Sequence, residues 1–204
     1  SLIHELFALA GRRTDDYVSL VPISPYYNIR FDDGSVFRYD GDPALVAEEV
    51  RRFSPDDVAG YHRFLAATDR IFTTGFALID RPFLKLTDML RVAPELVRLQ
   101  SHKSVAQFVR GFFRDERLRQ AFSFHPLLVG GNPFQATSIY ALIHSLEQRW
   151  GVWFAMGGTG AVVGALARLI EELGGELRLS TAVEEIVVER GTGTASGVPV
   201  ARGE

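Results

Sequence analysis

The chain has 204 residues, of which 47% are hydrophobic and 23% charged, and a formal net charge of -3. A chain of this size buries roughly 70% of the surface its unfolded form exposes, so it builds a true core, and its composition excludes a disordered protein. The slight acidity gives no basic field for nucleic acid, and the absence of cysteine excludes disulfides and thiolate metal sites.

In chain order, "SLIHELFALAGRR" places Leu2, Leu6, Phe7 and Leu9 on a helical face, with Ser1 as cap and Gly11 as terminator. The chain opens inside this pattern with neither an initiator methionine nor a signal peptide, which predicts a piece of a longer protein. Between Tyr17 and Asp40, β-branched and aromatic residues alternate with polar ones. The turn signal at Asp32–Gly34 predicts two or three antiparallel strands there. From Pro43 to Glu147 the period becomes helical. "SPDDVAGYHRFL" offers Ser54 as N-cap, Pro55 at the first helical position and Asp57 at the third. Further helices are predicted over "LTDMLRVAPELVRL", "SVAQFVRGFF", "DERLRQAF" and "SIYALIHSLEQRW". A strand at "VWFAM", a helix from about Gly160 to Leu173 and strands at "ELRLS" and "AVEEIVVE" finish the regular structure, before a Gly, Thr and Ser rich tail. The fold class is α+β: antiparallel strands, a helical subdomain, then a β-α-β passage.

The passage from Val152 to Leu179 imitates a dinucleotide-binding turn. That fingerprint needs G-x-G-x-x-G and an acid roughly 20 residues on to hold a ribose. Gly158, Gly160 and Gly164 give G-x-G-x-x-x-G, and Ser180 and Thr181 stand where the acid belongs. A turn at Gly157 and Gly158 is favoured over a pyrophosphate cradle, although a helix N-terminus attracts anions.

Other chemistry is sparse. His144 and Glu147 have the i, i+3 spacing of bundle metal sites, but the second pair such a site needs is missing, so no metal is expected. No G-x-S-x-G elbow marks a hydrolase. Asp88 and Arg91 form an i, i+3 pair in an apolar helix. Either they are an exposed ion pair, or they face an apolar cavity where burial tunes the carboxylate. From Ala121 to His144 the apolar side chains, Phe122, Phe124, Leu128 and Tyr140 among them, suit a core or a tunnel for a long apolar ligand, with His125 as one of its few polar groups. Phe72, Phe76, Leu78, Ile79, Phe83, Leu84 and Leu86, with Lys85, Arg91 and Arg98, suit a core or a bilayer interface.

The segments "ELFALAG", "FSPDDVAGYHRFL", "PFLKLTDMLRVAP" and "RWGVWFAMGGTGA" occur in the order in which similar segments stand in bacterial and fungal phytoene desaturases, which the chain resembles up to about Glu189. The resemblance implies an internal part of an FAD-dependent carotenoid dehydrogenase of the amine-oxidase-like superfamily. It divides the chain into the helix end of an upstream FAD-domain or linker region (1–13), a substrate-binding and helical, membrane-associating region (14–151), and an internal part of a discontinuous FAD domain (152–204). It further implies hydride transfer from phytoene, a C40 hydrocarbon, to FAD in a cytoplasmic, peripheral membrane enzyme. Asp88 and Arg91 match positions held to lie near the isoalloxazine, and Val183 matches a strand valine whose backbone meets the adenine. Gly157 and Gly158 are the remaining cofactor candidates, and Phe122, Phe124, His125, Leu128 and Tyr140 the candidate substrate lining.

The pyrophosphate turn of the family is expected upstream of this region, so the piece alone is expected neither to retain FAD nor to be active. Two alternatives stay open: a related oxidoreductase or isomerase of another polyisoprenoid or apocarotenoid, and a noncatalytic lipid-binding module. Sheet edges that partner segments would cover leave self-association into a homo-oligomer open as well.

Overall fold

The computed structural model describes residues 2–79, 86–189 and 195–198, with side chains described within 3–75, 92–189 and 195–198. The chain divides into two compact units, Ser1–Leu20 with Ala155–Glu204, and Val21–Phe154.

In the first unit, helix α1 (Leu2–Leu9) ends where Gly11 takes φ +69°, and the Arg12 N–H donates back to the Phe7 carbonyl at 2.9 Å. That left-handed position needs glycine because a Cβ there would strain the backbone. Ser1, the expected cap, lies outside the described residues. Helix α8 (Thr159–Glu172) carries Ala165 and Leu169, which pack with Phe7, Val18 and Ala155 into a small core. Tyr17 secures this helix: its hydroxyl donates to the Glu172 carboxylate, its ring lies under the Arg168 guanidinium, and its carbonyl accepts from Arg168 at 2.6 Å.

The expected strand at Glu176–Ser180 does not form, and "AVEEIVVE" contributes only β5 (Val187–Val188), paired antiparallel with β6 (Ala195–Gly197). A strand needs neighbours to take its N–H and C=O groups. Among the described residues none runs beside Glu176–Ser180, and Leu179 is left 86% exposed. Sequence alternation records the strand-forming tendency; the sheet that would use it is not among the described residues. The passage is therefore strand, helix and irregular chain.

In the second unit, β2 (Tyr27–Arg30) and β3 (Val36–Tyr39) form an antiparallel hairpin with Tyr27 opposite Tyr39. Its turn closes through Gly34, φ +81°, whose N–H donates to the Phe31 carbonyl, while Asp33 accepts from the Ser35 N–H at 2.9 Å. Strand β1 (Leu20–Pro22) takes no part in this hairpin. Helix α2 (Pro43–Phe53) starts as the rules require, with Pro43 first and the Asp42 carboxylate accepting from the Ala44 N–H at 2.8 Å.

Helix α3 (Val58–Ile79) follows a 3-10 turn at Pro55–Asp57. Ser54 occupies the N-cap position, yet its side chain makes no capping bond. The working residue is Asp57, 2% exposed, whose carboxylate accepts from the Arg114 N–H at 2.9 and 3.0 Å and the Asp115 N–H at 2.9 Å. Helix α3 also touches that loop at Gly60, where a Cβ would stand 1.9 Å from the Phe112 carbonyl oxygen.

Helices α4 (Leu86–Arg98), α5 (Val105–Val109), α6 (Glu116–Ser123) and α7 (Leu142–Trp150) complete the helices of this unit, and strand β4 (Trp153–Ala155) follows α7 in the chain. Ser104 and Gln107 form a reciprocal capping box on α5, and Asp115 caps α6. Helix α7 packs along α3. Between them and the hairpin lies an aromatic core in which Phe113 and Phe122 stack at 4.5 Å, and Phe37, Tyr61 and Phe64 close around Phe122. Aromatic pairs of this kind add about 0.5–1.5 kcal/mol beyond their area.

Candidate functional site

A network of buried and partly buried polar side chains in the second unit draws on three places. Tyr27 and Tyr39 face each other across the hairpin, and His144 and Glu147 stand one turn apart on α7. His125 begins the 3-10 turn His125–Val129 that follows α6. His125 and His144 are each 1% exposed and Glu147 6%, so every polar atom here needs a protein partner.

His144 and Glu147 share no ligand and turn to different partners. The His144 Nε2 stands 3.0 Å from the Phe122 carbonyl, which only accepts, so this nitrogen carries the proton. Its Nδ1 then accepts from the Tyr39 hydroxyl at 2.6 Å. Glu147 accepts from the Tyr27 hydroxyl at 2.7 Å on Oε1 and from His125 Nε2 at 3.0 Å on Oε2. The two imidazoles meet edge to face, with centroids 4.0 Å apart. His125 Nδ1 is buried with no hydrogen-bond partner. A bare lone pair costs less there than an N–H would, so the proton sits on Nε2.

Burial dominates the electrostatics. It pushes His125 down to about 3 and His144 well below the ordinary imidazole value, keeping both rings neutral. It raises Glu147, against the lowering effect of the Tyr27 hydroxyl, and lifts the Tyr27 and Tyr39 phenols above their ordinary value. The network is thus two neutral imidazoles and one carboxyl group held by two donors. Among the described residues no group of three ligating side chains can hold a metal ion.

Just beyond this network the chain turns apolar and exposed. His125 and Pro126 are buried, whereas Leu127, Leu128 and Val129 are more than half exposed, as is Phe134. Gly130 at φ +74° ends the turn, and the Gly131 N–H donates to the Pro126 carbonyl at 2.8 Å. No charged side chain occurs from Pro126 to Ile143. Tyr140, 39% exposed, lines a shallow apolar hollow with Ile139, Leu142 and Ile143.

The residues singled out from sequence therefore divide. Phe124, Leu128 and Tyr140 keep exposed surface, Phe124 lying edge-on to Tyr27 at 5.0 Å. Phe122 and His125 lie beneath them, buried in the core and the polar network. Asp88 and Arg91 fall on α4, but their side chains lie outside the described residues. So do those of Phe76, Leu78, Ile79, Phe83, Leu84, Lys85 and Leu86. Phe72 is buried, and Arg98 is exposed beside Glu95. No described helix is long and apolar enough to cross a membrane.

In the first unit, Gly157 and Gly158 take φ +89° and +82° directly before α8, and a Cβ on Gly158, Gly160 or Gly164 would meet nothing within 4 Å. Val183 is 55% exposed. Gly157 and Gly158 thus form open surface at a helix N-terminus. A helix N-terminus suits an anion but does not by itself make the complete cradle of a dinucleotide, so no step of hydride transfer is derived from it.

The hairpin tyrosines and Glu147 carried no sequence signal as a group. Tyr27 and Tyr39 read as strand formers, and His144 with Glu147 read only as an incomplete metal pair. The one available cue was that a Glu and a His stand on the inner face of a helix with aromatic neighbours.

The sequence matches the profile of flavin containing amine oxidoreductases over residues 4–201, and the chain belongs to that family. More narrowly, it is 50% identical over 187 residues to the lycopene-forming phytoene desaturase of Pseudescherichia vulneris, covering 91% of this chain and 38% of that protein. It is 44% identical over 202 residues to the lycopene-forming phytoene desaturase of Paracoccus sp., covering 98% and 40%. It is 42% identical over 203 residues to the neurosporene-forming phytoene desaturase of Cereibacter sphaeroides, covering 99% and 39%. The chain thus spans about two-fifths of the length of these relatives.

Proposed function

We propose that the chain is an internal part of an FAD-dependent phytoene desaturase, which introduces double bonds into phytoene during carotenoid biosynthesis. The observation that carries this reading is the 50% identity to a phytoene desaturase across 91% of the chain. Its physical support is the uncharged run from Pro126 to Ile143, whose exposed Leu127, Leu128 and Val129 offer a hydrocarbon only apolar contact. FAD, when bound by the complete protein, supplies the hydride acceptor.

In this reading residues 14–151 serve the substrate, while residues 1–13 and 152–204 serve the FAD domain. Phe124, Leu128 and Tyr140 touch the hydrocarbon, and Phe122 and His125 support them from beneath. Gly157, Gly158 and Val183 make peripheral contacts to the nucleotide end of FAD. Asp88 and Arg91 handle the proton released or stabilise the developing cation. The helical region around Phe72–Arg98 rests on the bilayer as a peripheral, cytoplasmic contact, which suits a substrate that lives in lipid.

The test is incubation of the complete protein with phytoene in liposomes, FAD and an electron acceptor, followed by chromatography of the pigments. Conjugated carotenes absorbing in the visible are expected. Recovery of phytoene unchanged, with bound FAD present, overturns the reading.

A further inference from the structure

The buried carboxyl of Glu147 has no part in the chemistry proposed above, yet it is the hub of the second unit's polar network. Three side chains bond to this residue: the Tyr27 hydroxyl and His125 Nε2 on its carboxylate, and the Tyr26 hydroxyl at 3.3 Å on its backbone carbonyl, which also accepts from the Gly151 N–H. Tyr26 and Tyr27 belong to the hairpin and His125 to the 3-10 turn, so Glu147 ties both to α7. Besides the bonds of the 3-10 turn itself, the segment is closed by the Leu127 N–H to the Phe124 carbonyl at 2.8 Å, the Gly130 N–H to the Leu127 carbonyl at 3.1 Å and the Gly131 N–H to the Pro126 carbonyl at 2.8 Å. From Leu127 onward its side chains face outward, so apolar packing does not hold it. The buried end at His125 and Pro126 is its anchor, held by ring packing of His125 on Tyr27, Tyr39 and His144 and, as its one side-chain hydrogen bond, by His125 to Glu147.

We infer that Glu147, acting through His125 and Tyr27, is the positioning residue that fixes the apolar segment Phe124–Val129 for the hydrocarbon substrate. The inference rests on the proposed desaturase reading for the identity of the ligand, and on the geometry alone for the positioning. Cutting one buried bond of a network frees what it holds, because a buried partner left without its bond gains by moving to water. The consequence is loss of a preformed binding surface, with the reacting groups untouched.

The complete protein is compared as wild type, Glu147→Ala, Glu147→Gln and Tyr27→Phe. Glutamine accepts the His125 Nε2–H on its amide oxygen and donates its N–H to the Tyr27 hydroxyl oxygen, so it keeps both contacts without the charge. In Glu147→Ala, amide exchange at Leu127, Gly130 and Gly131 is expected to speed up roughly tenfold relative to Phe108 and Arg119, which lie in the helical core. The KM for phytoene rises roughly fivefold or more with kcat within about twofold, the signature of lost uniform binding. Glu147→Gln returns both quantities towards wild type, and Tyr27→Phe, which removes one donor and keeps the ring, falls between. Unchanged exchange at the three amides in Glu147→Ala overturns the positioning. Faster exchange with an unchanged KM overturns the assignment of the segment to substrate. A wild-type protein that holds FAD yet fails to convert phytoene removes the desaturase reading itself, and the exchange data then judge the positioning separately.

Discussion

The Tyr39 hydroxyl donates to His144 Nδ1 at 2.6 Å across 105 residues of sequence, joining the inner strand of the hairpin to α7. On the other side of the ring, His144 Nε2 donates to the Phe122 carbonyl at 3.0 Å, so one imidazole satisfies a buried donor and a buried acceptor. Replacing it by Phe keeps the ring and orphans both groups. At about 1–3 kcal/mol for each unsatisfied buried group, His144→Phe is expected to destabilise the fold by about 2–5 kcal/mol in urea denaturation. Adding Tyr39→Phe removes the orphaned hydroxyl and should regain part of that loss. A double variant no more stable than His144→Phe alone would show that the hydroxyl finds another partner.

The same burial sets a dependence on pH. His125 is held down to about 3 and His144 well below the ordinary value, so both stay neutral in the folded state while the unfolded chain takes up protons near pH 6.5. The unfolded state then binds more protons, and stability present at pH 8 is lost as pH falls below about 6.5, by up to about 1.4 kcal/mol per pH unit for each histidine. Glu147, raised by burial, acts in the opposite sense between its ordinary value of 4.5 and its folded one, since the folded state there keeps the proton longer. The two histidines outweigh one carboxyl. Urea midpoints should be flat from pH 8 to pH 7 and decline towards pH 5; a midpoint that holds constant or rises below pH 6.5 contradicts the neutral assignment of both rings.

At the start of α3 two nearby residues exchange the roles that local rules assign. An N-cap serine is ordinarily worth about 1 kcal/mol. Ser54 makes no capping bond, so Ser54→Ala should cost less than about 0.5 kcal/mol, the range of an ordinary surface change. Asp57 accepts three bonds from the Arg114 and Asp115 N–H groups, and Asp57→Ala leaves those donors buried, at about 2–4 kcal/mol. Asp57→Asn keeps an acceptor and should fall between. Equal losses for Ser54→Ala and Asp57→Ala would place the capping energy at Ser54 after all.

These cases show what local pattern carries and what it omits. The helices α4, α5, α6, α7 and α8 and the Asp32–Gly34 hairpin were legible because caps, turn glycines and apolar period are written within a few residues of each other. The strand expected at Glu176–Ser180 was not, because a strand is completed by neighbours that local pattern does not name. The Tyr27–Glu147–His125 cluster was illegible for a related reason. Its members are 22 to 120 residues apart, and only the packing of hairpin, turn and helix brings them together. The exposed apolar run after His125 was visible as composition, although the burial of Phe122 beneath it was not.

Asp88 is the acid assigned to proton handling in the proposed reaction. Asp88→Ala in the complete protein is expected to lower kcat for phytoene at least about tenfold, since a positioned acid or base contributes about 10²–10⁴ in rate. FAD content, read from flavin absorbance per protein, should stay unchanged. Asp88→Asn should behave like alanine if the group exchanges a proton, and better than alanine if it only orients a neighbour. Unaltered turnover in both variants reduces Asp88 to an ion pair with Arg91, a contact worth only about 0.2–0.5 kcal/mol on a helix surface.

The last prediction concerns the cofactor and this chain alone. A dinucleotide site needs backbone approach at closely spaced glycines, a helix N-terminus for the pyrophosphate and an acid for the ribose. Of these the first unit has the helix, entered through Gly157 and Gly158 at positive φ, while its third glycine, Gly164, comes one place late and Ser180 and Thr181 stand where the acid belongs. A helix terminus by itself gives an anion about 0.3–1 kcal/mol, far short of the roughly 8 kcal/mol that micromolar binding requires. The isolated 204-residue chain should therefore bind FAD more weakly than about micromolar in equilibrium dialysis, and emerge from gel filtration without the yellow absorbance of flavin. Stoichiometric FAD on the purified chain would mean that Gly157, Gly158 and Val183 belong to the cradle itself, and their assignment as edge contacts would fall.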